Sequence, residues 1–315
     1  MYAVGVDIGG TKIAAGVVDE DGAIVAKTRR TTSPDDVASI DRAIAEVYEE
    51  FRADYEVGAI GVAAAGFVSN DRTSVLFAPN IAWRDYPLGE NVRALLQDDV
   101  RVVVENDANA AGWGEFRFGS AKDADDMLML TLGTGLGGAI VVDGRLVRGR
   151  WGFAAEIGHM RVVPGGYLCG CGHRGCWEQY ACGSALVRDA RAAAAAQPER
   201  AAALLALAGG DPGAISGPHV TAAAQAGDAL ARELFAELGR WVGEGSASVA
   251  ALLDPELIVL GGGVADAGDL LFPSVRAGFE NALSARGHRP EARIVAAALG
   301  NDAGMVGAAD LARVE

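Results

Sequence analysis

At 315 residues the chain exceeds what one hydrophobic core usually serves, so two lobes are expected. Half of it is apolar, which excludes a disordered chain, and a formal net charge of −15 excludes an extended DNA or RNA footprint, which needs a basic face. Four cysteines crowd between Cys169 and Cys182, too clustered for a disulfide framework, and a reducing cytoplasm is expected. Met1-Tyr2 lead straight into a strand pattern without a signal segment. The longest alanine-rich run, 192–208, is broken by Pro198, Glu199 and Arg200, so no membrane partner is expected either.

The apolar runs 2–8, 13–18 and 23–28, separated by a glycine turn and by Asp19-Glu20-Asp21-Gly22, predict three antiparallel strands. Ser33 then reads as an N-cap with Pro34 at the first helical position, opening a helix to about Arg52. Strands over 57–63 and 100–104 alternate with helices near 88–96 and over 108–116. At 127–144 the opening pattern returns without gaps: Gly9 falls on Gly133, Ala15 on Ala139, Asp19 on Asp143, and Asp7 on Thr131. This is an internal duplication, each copy opening with the same glycine hairpin. The strand-like run 155–159 precedes the cysteines. Helical pattern covers 222–253, in one helix or more. A strand at 257–260 runs into Gly261-Gly262-Gly263, and a helix, a strand at 293–297 and a closing helix from about Ala303 complete a second α/β lobe.

Both glycine hairpins read as phosphate loops. Glycines let backbone N–H groups approach phosphate oxygens closely. In the first, Asp7, Gly9, Gly10, Thr11 and Lys12 offer a carboxylate for a hydrated Mg²⁺, a hydroxyl and a positive charge. In the second, Thr131, Gly133, Thr134 and Gly135 repeat the turn. Gly133, Gly135 and Gly138 also spell a dinucleotide fingerprint. That reading is rejected, because the motif must open a helix and Ala139-Ile140-Val141-Val142 are strand formers. A protein kinase is excluded by the lack of its catalytic-loop and D-F-G motifs, and no Walker A loop is present.

Cys169, Cys171 and Cys176 lie within eight residues among glycines, a loop able to fold round one ion. Thiolates with an imidazole point to a structural Zn²⁺, and His159, His173 or Cys182 could supply the fourth ligand.

Together these residues resemble the ROK family. DIGGTK from Asp7 to Lys12 is similar to its first phosphate motif, and Glu105-Asn106-Asp107 to its catalytic triplet. Leu132 to Gly138 with Glu156-Ile157-Gly158-His159 is similar to its long signature, and CGCGHRGCWE from Cys169 to Glu178 to its zinc signature. The resemblance spans essentially the whole chain, and bacterial glucokinases are the members it looks most like. Alanine at 65, where many relatives have proline, and Cys182, where many have serine, are departures. The resemblance implies an α/β, duplicated actin-like (ribonuclease H-like) two-lobe sugar kinase fold. Residues 1–108 with about 302–315 would form the smaller lobe. Residues 109–301 would form the larger, with the second phosphate hairpin, the zinc loop and an oligomer interface. It implies the zinc set His159, Cys169, Cys171 and Cys176, and ATP held by the two hairpins and the turn at Gly262 and Gly263. A homodimer or homotetramer is implied, with a sugar and ATP as partners.

Phosphoryl transfer asks a protein for positioning and charge stabilisation. Asp107, just past a strand, is the natural general base for a sugar hydroxyl; it could also cap the following helix. Asn106, Glu156 and Glu178 offer polar contacts to hydroxyls, and the resemblance adds Gly66, Asn80 and His159, the last with one nitrogen on zinc and the other toward sugar. The expected reaction is phosphorylation of glucose at its 6-hydroxyl by ATP. Mannose, fructose, N-acetylglucosamine or N-acetylmannosamine as acceptor, and polyphosphate as donor, stay open. A sugar-sensing repressor of the same family is disfavoured, since a repressor carries an added N-terminal DNA-binding domain.

Overall fold

Three strands open the chain in the computed structural model, which describes residues 1–9 and 12–314: β1 (Tyr2–Ile8), β2 (Lys12–Val18) and β3 (Ile24–Thr31). They form the expected meander, with Ala3 opposite Val18 and Lys12 opposite Thr31. Helix α1 (Val37–Arg52) starts later than expected. Its N-cap is Asp36, not Ser33, because the Asp36 carboxylate accepts the Ser39 N–H at 3.1 Å. Strand β4 (Val57–Ala64) follows, then a small antiparallel sheet of β5 (Phe67–Val68), β6 (Val75–Phe77) and β7 (Arg84–Tyr86). Helix α2 (Leu88–Leu95), strand β8 (Arg101–Asn106) and helix α3 (Asp107–Phe118) come next. The main sheet has the order β3-β2-β1-β4-β8, with β1, β4 and β8 parallel.

The second copy brings β9 (Met127–Leu132), β10 (Leu136–Val142) and β11 (Arg145–Leu146). Helices α4 (Gly183–Ala196), α5 (Ala202–Leu207), α6 (Gly217–Gln225) and α7 (Ala229–Leu253) follow. Strand β12 (Leu257–Gly261), helix α8 (Phe272–Ala282), strand β13 (Arg293–Ala296) and helix α9 (Ala303–Val314) complete the chain. The second sheet runs β11-β10-β9-β12-β13, the order of the first strand for strand, and β10 begins and ends where the repeat places β2. The duplication read from the glycine pattern is thus a duplication of sheet topology. The run 155–159 is not a strand. Ala155 has φ +68 and Ile157–His159 form a 3-10 turn, and a side chain at Gly158 would stand 2.1 Å from the Leu136 carbonyl oxygen.

The chain divides into two compact units: 1–129 with 138–155 and 297–315, and 130–137 with 156–296. Helix α3 falls in the first unit, past the expected boundary at residue 108, because it packs along α9. A methyl on Gly307 would lie 1.8 Å from the Ala110 carbonyl oxygen. In this unit Val4, Val6 and Ile8 of β1 bury with Ile40, Ile44 and Phe51 of α1. On the sheet's other face Ala3 and Ala59 bury with Val306 and Ala309 of α9. Among the described residues no helix is long and apolar enough to cross a membrane.

Candidate active site

Parallel strands deliver the first unit's chemistry to one end of its sheet. Asp7 pairs in register with Ala63, Ala63 with Glu105, and Ala64 with Asn106, so the carboxyl ends of β1, β4 and β8 line up. Open α/β sheets bind ligands at this end. Asn106, in extended conformation at φ −61 and ψ 141, is the N-cap of α3, its Oδ1 accepting the Asn109 N–H at 3.0 Å. Its Nδ2 donates to the Gly66 carbonyl at 3.1 Å. An amide carries two donors and two acceptor sites, so one of each remains for a hydroxyl. The cap expected of Asp107 therefore belongs to Asn106, and Asp107 is the first helical residue, its carboxylate free of that duty. Asp107 is half-buried, and burial pushes its carboxyl above the ordinary range against the pull of the Ala108 N–H.

Asp7 is pushed up to about 6, by burial first and then by the charges of Asp107 and Asp302. Asp302 is paired with Lys27. The first turn closes through the Gly9 N–H to the Lys12 carbonyl at 2.9 Å, with Gly9 and Lys12 exposed; Gly10 and Thr11 lie outside the described residues. Asn80 is exposed in the β6–β7 loop, whose carbonyls at Ala78 and Ile81 are held by the Arg84 guanidinium at 2.8 and 3.3 Å.

In the second unit the second glycine turn is built from backbone. Gly133 N–H meets the Gly135 carbonyl at 3.0 Å, Gly183 N–H meets the Gly133 carbonyl at 2.8 Å, and Val264 N–H meets the Leu132 carbonyl at 3.0 Å. Thr131 sits half-buried on β9 before it. Gly262, at φ +84, needs its lack of a side chain, since a methyl would come within 2.6 Å of the Leu132 carbonyl oxygen. Gly133, Thr134 and Gly263 open onto a cavity of about 950 Å³. Its other walls are Gly183, Ser184 and Val187 of α4, Pro218 and Gln225 of α6, Phe235 of α7, and Val264. Sequence reasoning missed these wall residues. One signal was available: Gly183-Ser184 open a helix, and helix N-termini present N–H groups to anions.

His159, Cys169, Cys171 and Cys176 offer ligand atoms all within 4.8 Å of one another. Cys171 Sγ lies 3.6 Å from Cys176 Sγ, and Cys169 Sγ lies 3.7 Å from His159 Nδ1. Ligands about 2.3 Å from a tetrahedral zinc stand about 3.8 Å apart, so the set fits that metal. His173 Nδ1 is 3.7 Å from Cys171 Sγ outside this set, and Cys182 is spent on capping α4. Cys169 Sγ donates to Glu178 Oε1 at 2.9 Å, while Glu178 and Glu156 stand 3.9 Å from opposite nitrogens of His159. A methyl on Gly135 would lie 3.1 Å from Glu178 Oε2, so this carboxylate neighbours the second glycine turn.

The model of the ROK family matches residues 3–315. This chain belongs to the ROK family. Within the family it is 52% identical over 310 residues to a glucokinase of Streptomyces coelicolor, covering 98% of this chain and 97% of that one. It is 38% identical to a glucokinase of Halalkalibacterium halodurans over 97% of this chain and 93% of that one. The structure of a ROK family glucokinase from Streptomyces griseus, in complex with glucose and AMPPNP, superposes with a TM-score of 0.89 at 51% identity, covering both chains fully. The fold is therefore the two-lobe actin-like fold of ROK sugar kinases.

Proposed function

We propose that this chain is an ATP-dependent glucokinase that transfers the γ-phosphoryl group to the 6-hydroxyl of glucose, with Asp107 as general base. The observation that carries the reading is Asp107 itself, a half-buried carboxylate at a strand end, relieved of capping by Asn106 and made more basic by burial. The streptomycete glucokinases at 51–52% identity supply the substrate. Asn106, with one donor and one acceptor spare, orients a sugar hydroxyl; Gly66 fixes Asn106, and Asn80 borders the same loop sheet. Glu156, His159 and Glu178 take ring hydroxyls, which gives discrimination that apolar contacts lack.

The adenosine of ATP occupies the 950 Å³ cavity, a volume within the usual range for ligand pockets. Within the second unit the Gly133–Gly135 turn, Gly262 and Gly263 offer backbone N–H groups suited to phosphate, and within the first unit Lys12 offers a positive charge. The acidic group of Asp7, Asp107 and Asp302 suits a hydrated Mg²⁺, which would neutralise charge on the phosphates. Structural Zn²⁺ on His159, Cys169, Cys171 and Cys176 would hold the loop that presents His159 and Glu178. The same reading takes the enzyme to be cytoplasmic and a homodimer or homotetramer, as the family resemblance implies.

A coupled assay across glucose, mannose, fructose, N-acetylglucosamine and N-acetylmannosamine, with ATP and with polyphosphate, tests this. Glucose with ATP should give the highest kcat/KM, and a clear preference for another pair would overturn the assignment.

A further inference from the structure

Glu105 is the one member of the Glu105-Asn106-Asp107 triplet that the mechanism above leaves without work, and it is buried, its side chain 4% exposed. Its Oε1 accepts the Asn106 N–H at 3.0 Å and the Asn109 Nδ2 at 3.1 Å. Its Oε2 accepts the Arg148 Nε at 2.6 Å and faces the Arg72 Nε at 3.4 Å. Both arginines are brought there by turns. Arg148 follows β11, its carbonyl accepting the Ala154 N–H at 3.0 Å; Arg72, at φ +61, accepts the Val104 N–H on its carbonyl at 2.9 Å.

We infer that Glu105 is a positioning residue for phosphoryl transfer, fixing the Asn106–Asp107 turn against a frame made by Arg148 and Arg72. The inference rests on the proposed function, in which Asn106 and Asp107 hold the acceptor hydroxyl. A buried carboxylate between guanidinium groups is seldom the cheapest way to stabilise a core, because desolvation offsets much of the attraction. What it supplies here is direction. The bonds Glu105–Asn106, Glu105–Asn109 and Asn109–Asn106 close a ring round the turn and Asn106–Gly66 tethers it, leaving Asp107 little freedom to drift. Misplacement of a catalytic group by about 1 Å can cost about 10²-fold in rate.

The test is Glu105→Gln, which keeps the length but sets an amide or a neutral oxygen against the arginines. Expected are a kcat at least about tenfold lower, a raised KM for glucose and an unchanged KM for ATP. Arg148→Lys, which keeps the charge but loses the Nε contact, should move the same quantities in the same direction by less. Amide exchange over 105–109 should quicken in both variants, and this reads the network without any substrate. Wild-type kcat and glucose KM in folded Glu105→Gln would overturn the inference, as would a rate falling only with the folded fraction while both KM values stay fixed. If Glu105→Gln does not fold, Arg148→Lys decides by the same criteria. Failure of the wild-type protein to phosphorylate glucose would count against the proposed function alone, because the exchange measurement would still stand.

Discussion

Two aspartates of one sheet end carry the residue-scale argument. As the proposed general base Asp107 must be ionised, and burial raises its carboxyl above the usual value of 3.8, so activity should be lost as pH falls through that raised pKa. The acid limb of kcat/KM for glucose should therefore sit above the range of an ordinary aspartate. Asp107→Asn should abolish the limb and lower kcat by about 10²-fold or more while glucose still binds by calorimetry. Near wild-type turnover would remove Asp107 as base. For Asp7 the raised pKa bears on stability. Its folded pKa, about 6, exceeds the unfolded value of 3.8, so the native state holds a proton that the unfolded chain has released. This contribution favours folding as pH falls from about 6 toward 4 and opposes it at neutral pH, by on the order of 2–3 kcal/mol. Asp7→Asn should therefore raise the ligand-free Tm at pH 7.5 and, since Asp7 is read as the Mg²⁺ carboxylate, end ATP turnover; an unchanged Tm would refute the strained carboxyl.

At the scale of elements, the contact between α9 and its neighbours is made backbone to backbone. Methyl groups on Gly5, Gly61 and Gly307 would meet the carbonyls of Met305, Ala308 and Ala110 at 1.9, 1.8 and 1.8 Å. Gly307→Ala should cost about 2–3 kcal/mol or more, since a carbonyl cannot swing aside as a side chain can, and thermal unfolding would show it. These glycines are legible in the sequence only as glycines; which element each one admits depends on a packing angle that no local pattern encodes. The strand pattern was legible, because both copies alternate apolar residues round the same glycine turn. The helix starts were less so. Ser33-Pro34 and Asp107 had the right chemistry for caps, yet Asp36 and Asn106 took the positions because their side chains reach the third N–H of the turn. The cavity walls were hidden for another reason: residues from α4, α6, α7 and the turn after β12 meet only through tertiary packing.

For the molecule as a whole, the question is how far the cysteine loop and the 950 Å³ cavity proposed for the nucleotide depend on each other, both lying in the second unit. Most of the cavity wall is helix, tied to the second glycine turn by the Gly183–Gly133 bond, and none of Cys169, Cys171 and Cys176 lines it. The loop is anchored separately. Trp177, fully buried just past Cys176, donates its Nε1 to the Trp241 carbonyl at 2.8 Å and packs so closely on α7 that a methyl on Gly245 would lie 2.1 Å from its ring. Losing the metal should therefore disorder the stretch from Cys169 to Cys176 and stop at Trp177. Zinc sites of this type supply about 10–16 kcal/mol of apparent binding energy in small peptides, enough to order a glycine-rich loop. Elemental analysis should find one zinc per chain in the wild type and none in Cys171→Ser. By calorimetry, glucose affinity should fall at least about tenfold as His159 loses the metal that orients it and Glu178 its Cys169 partner, whereas binding of a non-hydrolysable ATP analogue should change little. If glucose and nucleotide affinity collapse together, the loop supports the entire unit and the separate anchoring by Trp177 is wrong; if a zinc-free protein binds glucose normally, the metal has no part in presenting the sugar residues.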